Sequence, residues 1–102
     1  DDTLNHLRIG HAAGQLHRTA HLVTGEAGIK MDELLCSIAA RFSATGPMTP
    51  AEHNHFDQRI ETLTALMASS SISKRLRILD LLIDLSFALR STETTDARKH
   101  SA

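Results

Sequence analysis

The chain has 102 residues, 41% of them hydrophobic, 23% charged and 3% aromatic, with a formal net charge of -1. That length fits one small domain, and its core must be built from Leu, Ile, Ala and three Phe. With no Trp and no Tyr the chain lacks the rings on which bases and most sugars stack, and near-neutral charge lacks the basic excess of a nucleic-acid binder. A single cysteine, Cys36, excludes an internal disulfide and any Cys-based zinc framework. It falls among apolar residues and is expected as a small buried side chain. No apolar run is long enough to span a bilayer, and residues 1–3 carry neither a basic nor an apolar leader region, so the expected location is the cytoplasm.

Gly and Pro divide the chain into helical segments, and none alternates as a strand would. The first runs from about residue 3 to 23. Ile9, Ala12, Ala13, Leu16, Ala20 and Val23 share one face of it, while Leu4, Leu7 and Leu22 lie off that face. Gly10 and Gly14 each weaken it by about 1 kcal/mol relative to Ala, a cost offset if another backbone packs against them. Residues 24–28, with two Gly, read as a break.

Met31, Leu34, Leu35, Ile38 and Phe42 predict a second helix over about 29–43, with Asp32 and Glu33 in its first turn and Arg41 in its last, as the helix dipole favours. Residues 44–47 end it. Thr49, Pro50 and Glu52 then form a capping-box signature for a third helix over about 50–68, whose stripe is Phe56, Ile60, Leu63 and Met67. Residues 69–71 are a serine connection, with Ser71 or Ser73 as the next cap. The fourth helix, about 72–90, is the most apolar. One stripe holds Leu76, Leu79, Ile83 and Phe87; a second holds Ile78, Leu81, Leu82, Leu85 and Leu89. Only Arg77, Asp80 and Asp84 make a polar strip, most simply a solvated, salt-bridged edge. The fold class is therefore all-α, four short helices in a small bundle, with one domain over residues 1–90 and a disordered polar tail over 91–102.

The residues that bear chemistry do not assemble into a catalytic set. Nothing resembles a nucleophile elbow, a phosphate-binding loop or paired catalytic carboxylates, so no enzyme and no cofactor are expected. His6, His17 and His21 project to one side of the first helix, and His17 and His21 have the i, i+4 spacing of a metal pair. That pair lacks further ligands and has Arg18 beside it, so solvent-facing or interface His is the favoured reading. His53 and His55 with Glu52 and Asp57 form a second cluster, split by i, i+2 spacing. Lys74, Arg75 and Arg77 are the one basic cluster, set where the helix dipole disfavours cations. Two alternatives follow: a DNA-binding or antitoxin-like regulator acting through that cluster, and a metal-responsive helical protein using His17 and His21. Nucleic acid is the less expected partner, because the fourth helix offers leucines where a recognition helix needs base-reading side chains.

Two apolar stripes on one helix exceed what three short amphipathic helices cover easily. One stripe is left for a second chain, either a copy of this one or another protein. Which of them forms a dimer seam stays open. The anchors expected from the face argument are Ile78, Leu82, Leu85 and Leu89 with Leu81 alongside, and Arg75 and Arg77 are expected to steer association.

With its apolar helix face over residues 78–89, its size and its lack of a catalytic set, the chain resembles the small bacterial anti-activators that inhibit quorum-sensing regulators of the LuxR type. The resemblance is one of form and rests on no short motif. It implies a cytoplasmic homodimer that binds the ligand-binding domain of a transcriptional regulator and keeps it from dimerising or engaging DNA.

Overall fold

Among the described residues the chain forms four α-helices, α1 (Asp2–Thr19), α2 (Gly25–Ser43), α3 (Pro50–Ala68) and α4 (Arg75–Ser91), with a 3-10 turn at Ala20–Leu22 after α1. The computed structural model describes residues 2–44 and 46–91, and there the all-α expectation is met. The polar tail expected beyond α4 lies outside the described residues, apart from Ser91, which belongs to the helix.

The helix boundaries differ from the sequence expectation at three places, each for a local reason. The Thr19 hydroxyl donates to the Leu16 carbonyl (2.9 Å), and the chain then tightens into the 3-10 turn closed by the Val23 N–H on Ala20 (3.0 Å). The expected break at 24–28 is instead the first turn of α2. Gly25 takes a left-handed φ of +67°, and a Cβ on Gly28 would stand 2.7 Å from the Val23 carbonyl oxygen. The two glycines thus let the chain reverse within two residues and pack α2 against its own approach. Helix α4 starts at Arg75 rather than 72, because Ser70, not Ser71 or Ser73, organises the connection: its hydroxyl accepts from the Ile72 N–H at 3.1 Å. The start of α3 matches the capping-box expectation: the Thr49 hydroxyl accepts from the Glu52 N–H (3.1 Å), and Glu52 accepts from the Thr49 N–H (3.0 Å).

Helix α1 packs on α4, α4 also on α3, and α3 also on α2, so the order around the bundle is α1, α4, α3, α2. Neighbours run antiparallel. The Asn5 amide donates to the Ser91 carbonyl (3.0 Å), joining the start of α1 to the end of α4. Arg90 meets Asp57 (3.5 Å) between α4 and α3, and Arg41 meets Glu52 (2.9 Å) between α2 and α3. This is the up-down-up-down arrangement that short connections favour. Helices α1 and α2 touch least, and Phe42 bridges them, its ring edge-on to His6 and 3.7 Å from where a Gly10 Cβ would sit.

One core runs through all four helices. The predicted stripes supply Ile9, Ala12, Leu16 and Val23, then Met31, Leu34 and Ile38, then Phe56, Ile60, Leu63 and Met67. No backbone approaches Gly10 or Gly14 closely enough to require glycine. From α4 the core takes Ile78, Leu81, Leu82, Leu85, Ala88 and Leu89, all at most 2% exposed. Each such Leu or Ile stabilises the fold by roughly 1.5–3 kcal/mol through burial.

Candidate interaction face

The inward face of α4 overturns one expectation. Ile78, Leu81, Leu82, Leu85 and Leu89 are not free anchors for a partner; they are the part of the core that α1 and α3 enclose. The physical reason is width. At about 100° per residue these positions and Ala88 span roughly 120° of the helix, broad enough to meet two neighbours at once. The narrower stripe cannot do that and is left outside. Leu76, Ile83 and Phe87 are 69%, 62% and 68% exposed, and Leu79 is half-buried.

On α1, Leu4 and Leu7 are 51% and 66% exposed. Leu7 and Phe87 stand on opposite walls of a groove between α1 and α4, whose floor is Ala12, Leu81 and Ala88. Arg8, His11, Arg77 and Asp84 complete its walls. No ion pair forms among these charged groups, nor does Asp80 make one, among the described residues. The salt-bridged edge expected of Arg77, Asp80 and Asp84 is therefore a set of exposed, unneutralised charges beside an apolar stripe.

The basic cluster divides. Arg75 turns back and donates to the Ser70 carbonyl (2.9 Å), so it secures the connection before α4 instead of steering a partner. Arg77 is exposed on the groove wall.

The histidines also scatter. Because α1 ends at Thr19, His17 and His21 lie in different helical geometries, so the expected i, i+4 register of an α-helix is broken between them. Among the described residues no three His, Cys, Asp or Glu side chains gather as a metal site. His55 Nε2 accepts from Arg59 Nε (2.8 Å), which occupies that lone pair. Burial holds the His53 pKa below its ordinary value, with Asp57 and Glu52 opposing the shift. Cys36 is exposed, which corrects its expected burial. It sits opposite the Met31, Leu34 and Ile38 face of α2, and helical phase, rather than its apolar neighbours in sequence, carried that information.

The fold and this face define a class: a small helical bundle with an uncovered apolar side on α1 and α4. Among the described residues no helix is long and apolar enough to cross a membrane. Comparison with known proteins finds no matching family model, curated protein or solved structure.

Proposed function

We propose that this protein is a non-enzymatic, cytoplasmic interaction module that forms a homodimer and sequesters a transcriptional regulator, a LuxR-type quorum-sensing receptor on the resemblance described above. The observation that supports this reading most is the exposed apolar side of α1 and α4: Leu4, Leu7, Leu76, Ile83 and Phe87 stand more than half in solvent while the core beneath them is complete. Isolated exposed leucines need no explanation, but an apolar groove edged by unpaired charges has the make-up of a protein interface, an aliphatic centre with a polar rim.

Inhibition on this reading is stoichiometric. In the complex the face exchanges its contact with a second copy for an apolar surface that the regulator needs for its own dimer, and each well-buried apolar anchor contributes roughly 1.5–3 kcal/mol. The mechanism requires no bound cofactor and no chemical step.

The test is co-expression with a LuxR-type receptor and a reporter of its target promoter, alongside gel filtration of the purified protein with the receptor's ligand-binding domain. A complex and loss of reporter signal are expected, both reversed by Leu7→Asp. No complex and an unchanged reporter would overturn the receptor assignment.

A further inference from the structure

Along the solvent side of α4, five residues follow the alternating four- and three-residue spacing of a coiled-coil seam: Leu76, Asp80, Ile83, Phe87 and Arg90. All five are exposed, and at about 100° per residue they fall within an arc of roughly 80°. Four of them are symmetric about the level of residue 85. Turning the helix end for end exchanges Asp80 with Arg90 and Ile83 with Phe87. A second copy laid antiparallel on this strip therefore sets apolar against apolar at its centre and acid against base at both ends.

The charges have the properties this pairing needs. Asp80 makes no ion pair among the described residues. The Arg90 side chain is 68% exposed and reaches Asp57 only through Nε at 3.5 Å, so most of its guanidinium remains available. In a parallel pairing the same seam would set Asp80 against Asp80 and Arg90 against Arg90, which like-charge repulsion disfavours.

From this self-complementarity we infer that the occupant of the α4 face is a second copy of this chain. The two α4 helices run antiparallel about a two-fold axis at the level of residue 85, with Ile83 and Phe87 forming the dry centre and two Asp80–Arg90 pairs closing its ends. Leu7, across the groove from Phe87, widens the apolar contact. The inference rests on reading this side as an interaction surface, but it does not depend on which regulator the protein binds.

Sedimentation of the full chain over a range of concentrations tests it, with circular dichroism as a check on folding. The wild type is expected to be a concentration-dependent dimer, and Ile83→Asp and Phe87→Asp to be folded monomers. Asp80→Arg and Arg90→Asp should each weaken self-association about tenfold or more, because each faces like charge with like. Combining both changes in one chain should restore the dimer. Mixing the two single variants should form a heterodimer, since the all-basic seam then meets an all-acidic one.

A monomeric wild type would overturn the inference. So would a dimer that survives both aspartates, or single charge reversals without effect, the last being the parallel result. Receptor binding is measured separately: a charge-reversed monomer that still binds the receptor leaves the receptor assignment standing, and a dimer that binds no receptor leaves the seam standing.

Discussion

The α2–α3 half and the α1–α4 half of this bundle solve the same packing problem differently. Helices α2 and α3 are tied from outside as well as through the core. Arg41 bonds Glu52 and the Gly46 carbonyl, Arg59 bonds Glu33 (3.1 Å), and Glu52 also completes the capping box. Lys30 also pairs with Glu33 (3.5 Å), while Glu26, Asp32 and Glu61 make no ion pair among the described residues. Between α1 and α4 the Asn5 amide donates to the Ser91 carbonyl, and Arg8, Arg77, Asp80 and Asp84 make no ion pair among the described residues, beside exposed leucines, Ile83 and Phe87. Both halves bury their inner faces fully. A surface that spends its charges on its own neighbours is finished, whereas one that leaves them unspent beside apolar side chains is suited to another chain.

The largest effect expected from breaking this contrast is on α4, where two side chains two residues apart should behave oppositely. Leu85→Ala removes a fully buried side chain and should lower unfolding free energy by about 2–5 kcal/mol in urea titration. Phe87→Ala, at an exposed position, should change the stability of the dissociated monomer by no more than about 0.5 kcal/mol. Similar losses for both would show that the outer stripe belongs to the fold.

Glycine replacements sharpen the same comparison at smaller scale. Gly28→Ala drives a methyl to 2.7 Å from the Val23 carbonyl oxygen and should destabilise by about 1–3 kcal/mol, because backbone must shift to accept it. Gly14→Ala, on the open side of α1 with nothing within 4 Å, should stabilise by about 0.5–1 kcal/mol through helix propensity. Thermal unfolding of the two variants gives both signs directly.

The smallest effects are pH-dependent and belong to α3. The folded His53 pKa is depressed by burial, so the unfolded chain binds the proton more readily. Stability should be full above the ordinary histidine value of 6.5 and fall as pH drops below it, until the folded group also protonates. Glu52 acts lower: the Thr49 backbone N–H, and then Arg41, hold its carboxyl below the ordinary 4.5. Its contribution is present above that value and lost as pH falls through the depressed one. Denaturation midpoints of His53→Asn that keep the wild-type slope below pH 6.5 would remove His53 as the cause.

Most of the secondary structure was legible because its signals are local. The capping box at Thr49 and Glu52 satisfies backbone groups three residues away, and the stripe from Phe56 to Met67 needs only helical spacing to appear. Residues 24–28 misled because glycine serves both loops and close approaches, and only the position of the Val23 carbonyl separates the two. Arg75 read as a free charge because the Ser70 carbonyl it contacts is brought near by the turn, not by spacing along a helix. The candidate site was half legible. The surplus of apolar faces on α4 could be counted in advance, but the anchors named for it turned out to be the core.

By itself, the sequence determined four amphipathic helices, their caps, and an excess of aliphatic surface on the last one, since each depends on residues within a turn or two of one another. Only the tertiary structure decided which stripe of α4 faces inward. The broad stripe can touch α1 and α3 together and so buries more area; the narrow one, from Leu76 to Phe87, is left to water with Asp80 and Arg90 at its sides. That choice depends on the positions of two other helices, which no local pattern in α4 contains.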